Sequence, residues 1–426
     1  MITPKLALVA LAAGGLVLAG CGSSTPTVSR DNVAYMYGRG GEQIRLETRV
    51  YHHAPERSTL YYKLPTNDLL YKGDGSGGPF KAHVRLTYEA YPDWNSKVLL
   101  DSASTLVQDK ADDPGQEKEL IGSIDLRRNE HRSFVLKVTA RDLNRETQTT
   151  TYLQVDRRET AIRQYFLPTD PRNGLPYFTD HFGAGDTVKV RCDAFVNATL
   201  RVVHQPTDAT LPAPVFSTST RKEPPSPDSS YTITVNAEGS FLLTGLRPGA
   251  LRFQIDSVDQ RGYALFCLTE CYPYAARAED MLKPLRYITS MQEYDRILKQ
   301  PDLRKGIEKF WMDCAGDREK ARDAIRIFYG RVENANRHFT SNVEGWRTDR
   351  GLVLIIFGTP NTIYKGAHGE TWIYGEESNL MSTTFNFVRR ADPFTENDLV
   401  LERDPLLKGA WYRSVESWRN GRVYQN

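Results

Sequence analysis

The hydrophobic period of this chain changes once, near Tyr272, and that change sets what each part can fold into. Upstream, apolar and polar residues alternate. His83–Ala90 puts Val84, Leu86, Tyr88 and Ala90 on one side, and Phe134–Ala140 does the same with Phe134, Leu136, Val138 and Ala140. Successive side chains of a strand point to opposite faces, so this is the pattern of antiparallel sheets with one dry face. Downstream, Ala321, Ile325, Phe328, Val332, Ala335 and Phe339 recur at spacings of four and three, which is one stripe of a long helix. Asp317 is its predicted N-cap, with Glu319 near the positive dipole end. The opposite face carries Arg318, Arg322, Arg326, Arg331 and Arg337 and reads as a solvated face.

These patterns predict a multidomain chain: two all-β sandwiches followed by an α+β domain. Residues 43–160 read as an immunoglobulin-like sandwich, with glycine-rich turns such as 73–79 between strands. Residues 161–271 form a second β module. Its Pro248-Gly249 turn feeds a strand in which Leu251, Phe253 and Ile255 share a face, a pattern that resembles transthyretin-like sandwiches. The Pro- and Ser-rich stretch 221–230 reads as an exposed loop within it. In residues 272–426, Leu352–Phe357 is a short, continuous apolar run, the pattern of a strand covered on both faces. Gly358-Thr-Pro360 turns it, and Thr371–Tyr374 and Thr383–Val388 read as further strands. Trp411, Val415 and Trp418 share one face of a last helix.

The N-terminus is a separate case. Lys5 precedes an apolar run, Leu6–Leu18, that is too short for the roughly 20 residues needed to span a bilayer but has the length of a secretory h-region. Leu18-Ala-Gly-Cys21 resembles the lipobox of bacterial lipoproteins. That resemblance implies a signal peptide over 1–20, a lipid on Cys21, and a membrane partner reached through that lipid. Residues 21–42, beginning with the small polar run Gly22–Thr27, read as a flexible tether. Gly22 rather than an acid follows the cysteine, which implies the outer membrane. The next acid is Asp31, so the periplasmic face is slightly favoured over the cell surface.

The 426 residues, 40% hydrophobic and 25% charged, describe soluble modules with real cores. A formal net charge of +2 argues against a nucleic-acid partner. Lipidation of Cys21 leaves Cys192, Cys267, Cys271 and Cys314. Cys192 shares the apolar face of an alternating strand and Cys267 closes Ala264-Leu-Phe-Cys, which makes Cys192–Cys267 a candidate bridge in an oxidising compartment, with buried free thiols as the alternative. Cys267-Leu-Thr-Glu-Cys271 lacks a second ligand pair, so no metal is assigned.

Between the long helix and the apolar run lies Gly345-Trp-Arg-Thr-Asp-Arg-Gly351. With Phe310-Trp311, Ala335-Asn336, Gly358-Thr-Pro360 and Glu370–Tyr374 in the same order, the chain from Leu282 onward resembles the GWxTD-domain family, common in Bacteroidota. The resemblance implies an envelope role but no established activity. In physical terms, Gly345 and Gly351 supply backbone freedom, and Trp346 supplies an apolar plate. Thr348 and Asp349 supply acceptors for backbone N–H groups, and Arg350 a partner for an acid. That set builds a structural turn. Its functional alternative places Asp349 and Arg350 in a cleft. No nucleophile elbow, zinc motif or phosphate loop is present, and no cofactor is called for. The expectation is a non-enzymatic, outer-membrane-anchored lipoprotein that meets other envelope proteins as a scaffold subunit. A carbohydrate- or peptidoglycan-binding module is the alternative, and a hydrolase centred on Asp349 and Arg350 is a third.

Overall fold

The computed structural model describes residues 31–38, 43–73, 75, 77–113, 115–127, 132–159, 162–207, 210–218, 225–255, 262–390, 395 and 397–423. The expected signal peptide over residues 1–20 and the expected lipid site, Cys21, lie outside the described residues.

The first sandwich runs β1 (Glu47–Ala54), β2 (Arg57–Pro65), β3 (Phe80–Tyr91), β4 (Asp101–Ala111), β5 (Glu119–Leu126), β6 (Ser133–Asp142) and β7 (Gln148–Asp156). A three-stranded sheet, β1-β2-β5, faces a four-stranded one, β4-β3-β6-β7. Val84, Leu86, Tyr88 and Ala90 of β3 meet Phe134, Leu136, Val138 and Ala140 of β6 in one core, as the alternation predicts.

The second sandwich runs β8 (Leu167–Thr169), β9 (His181–Gly183), β10 (Val188–Arg191), β11 (Thr199–Gln205), β12 (Ser229–Thr234), β13 (Ser240–Leu243), β14 (Gly249–Gln254) and β15 (Gly262–Leu268). Its sheets are β13-β10-β8 and β12-β11-β14-β15-β9, the last pair parallel. Leu251 and Phe253 are core residues as expected, and Ile255 packs half-buried against them. The Cys192–Cys267 bridge is not formed. Cys192 follows β10 and Cys267 lies on β15, strands of different sheets, and both are buried free thiols in the shared core. Burial pushes the Cys192 thiol up to about 12.

The C-terminal domain runs α1 (Ala278–Leu282), α2 (Met291–Leu298), α3 (Leu303–Ala315), α4 (Arg318–Phe339), α5 (Asp349–Phe357), β16 (Thr362–Gly366), β17 (Gly369–Tyr374), β18 (Thr383–Arg389), β19 (Leu399–Leu401) and α6 (Lys408–Arg419). The sheet follows chain order, β16-β17-β18-β19. Asp317 caps α4 by accepting from the Lys320 N–H, and the predicted stripe faces the core. Arg331 departs from the solvated face: it donates to the Ile355 carbonyl at 3.2 Å and lies 5.1 Å from the Trp418 ring.

The largest misreading is Leu352–Phe357, which is helical. Thr348 caps α5 by accepting from the Gly351 N–H, and Asp349 occupies the first turn, where the helix dipole favours an anion. All nine residues of the helix are buried, against α4, β19 and α6. A helix enclosed on every side is apolar all round, so its period carries no face to read.

Residues 31–38, expected to belong to a flexible tether, are part of the fold. Val33, Ala34 and Tyr37 belong to the C-terminal core. Val215, from the loop after β11, joins them. Two segments distant in sequence therefore complete the C-terminal domain.

Candidate functional site

The GWxTD loop is built by close approach. Gly345 opens a 3-10 turn, Gly345–Arg347, laid on α4. A Cβ on Gly345 would stand 2.0 Å from the Ala335 carbonyl oxygen, and one on Gly351 would stand 2.0 Å from the carbonyl oxygen of Gly345. Neither glycine has a positive φ. Contact distance, and not unusual backbone angles, requires them both. α4 thus supports the turn, and the turn supports the first residues of α5.

Asn336 of α4 is the hub beneath. Its Oδ1 accepts from the Trp346 N–H at 3.0 Å, its Nδ2 donates to the Pro273 carbonyl at 2.9 Å, and its own carbonyl accepts from the Tyr272 hydroxyl at 3.1 Å. Trp346 is buried beside Tyr287, whose hydroxyl donates to the Trp346 carbonyl at 2.8 Å. The Thr348 hydroxyl donates to Gly345 O at 2.8 Å while accepting from Gly351 N at 3.0 Å.

Asp349 and Arg350 point in different directions. Asp349 accepts from the Leu401 N–H at 2.9 Å and from Arg403 at 2.5 and 3.2 Å. Arg403 also donates to Ala213 O at 3.0 Å, so this carboxylate fastens the loop of the second sandwich to the C-terminal domain. Arg350 instead reaches Glu370 on β17 at 3.0 Å and both oxygens of Asn397, and lies 4.6 Å from the Phe339 ring. Glu370 further accepts from the Tyr37 hydroxyl at 3.0 Å and from Trp372 Nε1 at 2.9 Å, with Lys365 Nζ at 3.4 Å. Burial alone would push this carboxyl up. Lys365 and Arg350, with the hydrogen bonds from Trp372 and Tyr37, hold it down at about 2. Burial pulls Lys365 down in turn, but Tyr37 and Glu370 keep it above its usual value.

The structure therefore brings Gly345, Trp346, Thr348, Asp349, Arg350 and Gly351 together, each engaged inward. Tyr37, Lys365, Glu370 and Arg403 complete the assembly and were not singled out as site residues from sequence. Glu370 had a signal: it shares a strand face with Trp372 and Tyr374, so a charge points into the core register. Arg403 and Tyr37 had none.

Two open grooves lie elsewhere. One groove of about 600 Å³ is lined by residues including Glu293, Arg296, Trp411, Tyr412 and Arg419, and another of about 560 Å³ by Cys314, Lys320 and Arg422 among others. Among the described residues no group of His, Cys, Asp and Glu is arranged to hold a metal ion, and no helix is long and apolar enough to cross a membrane.

The GWxTD domain model matches residues 249–420. The match opens at the first residue of β14, so it takes in the last two strands of the second sandwich as well as the α+β domain. No curated protein matches the chain. Two similar solved structures are a calcium-binding mutant of Bacteroides uniformis β-glucuronidase 2 and Bacteroides uniformis β-glucuronidase. Each is 20% identical with a TM-score of 0.17, covering 26% of this chain and 13% of its own, an overlap that carries no argument. The chain carries a GWxTD domain over residues 249–420, from the end of the second sandwich through the α+β domain.

Proposed function

We propose that this protein is an outer-membrane-anchored lipoprotein that acts without catalysis, as a scaffold or interaction subunit among envelope proteins. The observation that carries the reading is the inward engagement of the GWxTD loop. A reactive carboxylate needs a substrate-facing lone pair and room beside it. Asp349 spends its oxygens on Arg403 and the Leu401 N–H, within the fold. The modules are joined by buried charge as well. Asp180 in the second sandwich accepts from Arg49 of β1 at 2.8 Å, and His53 of β1 meets Asp193 at 2.8 Å. A body stiffened this way presents several surfaces at fixed spacing, which suits a scaffold.

The anchor reading rests on the Leu-Ala-Gly-Cys21 ending and the apolar run before it. Asp31 lies ten positions after Cys21, a span of at most about 35 Å fully extended. An anchored chain would thus hold the C-terminal domain, where residues 31–38 dock, near the membrane. Crosslinking in intact cells followed by purification of the full-length protein tests the scaffold. The same envelope protein should be recovered repeatedly and lost from a Cys21→Ala variant that no longer fractionates with membranes. Recovery of no protein partner would overturn the scaffold reading.

A second reading is favoured by the groove beside α6. The exposed Tyr412 lines it together with Trp411, Glu293 and Arg296, a mix of aromatic and charged groups that suits a sugar face. Sedimentation with isolated sacculi that is abolished by Tyr412→Ala would establish it in place of the scaffold.

A further inference from the structure

Residues 32–37 sit in a slot of the C-terminal domain, yet they lie more than 200 residues upstream of the family match at 249–420. They are held at two ends of that slot, and between them the Tyr35 hydroxyl donates to Thr150 O of β7 in the first sandwich at 2.9 Å. At one, Val33 N donates to Ile363 O at 2.9 Å, Ile363 N donates to Asn32 Oδ1 at 3.0 Å, and Asn32 Nδ2 donates to Asn361 O at 2.9 Å. These bonds cover the free edge of β16, the outer strand of its sheet. At the other end, the Tyr37 ring enters between Phe339 and Trp372, with centroids 4.8 and 5.6 Å away, and its hydroxyl donates to Glu370 at 3.0 Å. The Tyr37 carbonyl accepts from Asn334 Nδ2 at 2.8 Å. One 3-10 turn, Ala34–Tyr37, sets the distance between the two ends.

We propose that this slot is a peptide-binding site of the GWxTD domain, filled here by the chain's own segment, and that its ligand class is a short peptide with an asparagine amide at one end, one 3-10 turn, and a tyrosine five residues on. The ion pairs of the slot do not need the ligand to form, although Tyr37 strengthens them. Glu370 keeps Arg350, Lys365 and Trp372 Nε1 when Tyr37 leaves, so the slot empties without orphaning a buried ion. The β16 edge returns to water, which satisfies its N–H and C=O groups. Recognition is then by backbone pairing at an edge plus one aromatic anchor, a combination used by peptide-binding modules. The inference stands apart from the anchor and scaffold readings, because the segment and the slot are both within the fold.

The test uses the full-length chain purified in detergent, with a protease site inserted between Gly38 and Gln43 and a C-terminal capture tag. After cleavage the N-terminal fragment should stay with the captured body. A synthetic peptide of residues 31–38 should then displace it. Tyr37→Phe in that peptide should raise the concentration for half-displacement about tenfold, the loss of one charge-assisted hydrogen bond, and Tyr37→Ala or Asn32→Ala by more. The substitutions are confined to the peptide, so the fold of the body is not at issue. Immediate loss of the fragment with no rebinding of peptide at millimolar concentration overturns the proposal. So does equal displacement by the Tyr37→Ala peptide, or a fragment that a thousandfold excess of peptide cannot remove.

Discussion

At the GWxTD loop, Asp349 is met by one backbone N–H and one arginine, Arg403, and the backbone around it is packed to contact at Gly345 and Gly351. At the junction of the two sandwiches, Asp180 is met by Arg49 at 2.8 Å, Arg163 at 2.5 Å and the Tyr263 hydroxyl at 2.7 Å, on ordinary strand and turn backbone. Burial would push the Asp180 carboxyl up, but the two guanidiniums hold it well below the usual carboxylate range. Both places withdraw a carboxylate from water. The first is fixed mainly by where the backbone can go, the second mainly by charge. The difference teaches which substitutions each will tolerate, and why one of them is visible as a motif.

Gly351→Ala is the severest way to break the comparison. Its Cβ would stand 2.0 Å from a carbonyl oxygen of the supporting turn, and neither backbone can yield without moving α4. The expected cost is about 3 kcal/mol or more, at the upper end for overpacking, read as a lowered denaturant midpoint for the C-terminal domain by tryptophan fluorescence. A loss below about 1 kcal/mol would show that close approach does not set the loop.

At the junction, Asp180→Asn leaves the Arg49 guanidinium buried against a neutral amide. The expected cost is about 3 kcal/mol, and the two sandwiches should then melt in separate steps because the pair joins them. A single unchanged transition would mean that the other junction contacts, such as His53–Asp193, suffice.

Acid should find the junction before the loop. His52 is enclosed, with Nε2 donating to Asp156 O and Gln164 Oε1 at 3.0 Å and Nδ1 accepting from Ser58 at 2.7 Å, which fixes the neutral tautomer. Burial, with Arg157 nearby, lowers its pKa to about 4. The unfolded chain takes up a proton at about 6.5 and the folded one does not until about 4. Stability is therefore complete above 6.5 and falls as pH drops towards 4, by on the order of 3 kcal/mol. Glu370 behaves as a depressed carboxylate: its contribution is present above about 4.5 and is lost as pH falls through about 2. Unfolding titrations with probes in each region should show these two windows, and a His52→Gln variant should flatten only the upper one.

Asp349→Asn should cost less than the junction change, about 2 kcal/mol. Arg403 keeps some contact with water, and the Leu401 N–H keeps an acceptor. The measurement is the denaturant midpoint. A fully stable variant would remove the structural role assigned to this aspartate and return it to the list of reactive candidates.

The contrast also explains what could be read in advance. Both sandwiches were legible because alternation reports one dry face per sheet, as β3 and β6 bear out residue by residue. The motif stood out because glycines at contact distance leave a fixed spacing in the sequence. Two things did not show. α5 is dry on all sides, so its run Leu352–Phe357 has neither a 3.6 nor a 2.0 period to separate helix from strand. Tyr37, Arg403 and Val215 act across more than 180 residues, and no local pattern encodes such distances.

The smallest effect expected is none, and it falls on the cysteines. Cys192 and Cys267 lie in facing sheets of the second sandwich, each almost fully enclosed, as free thiols. A disulfide closing so long a loop would contribute about 2–5 kcal/mol, lost on reduction. Without one, reductant has no bond to break. Burial raises both thiols above their usual range, which keeps them from the thiolate form that oxidants attack. The melting temperature should therefore be the same with and without reductant, and a thiol titration of the denatured chain should count Cys192, Cys267, Cys271 and Cys314 as reactive. A fall of several degrees on reduction, with two of the four missing from the titration, would show that the second sandwich relies on a covalent tie.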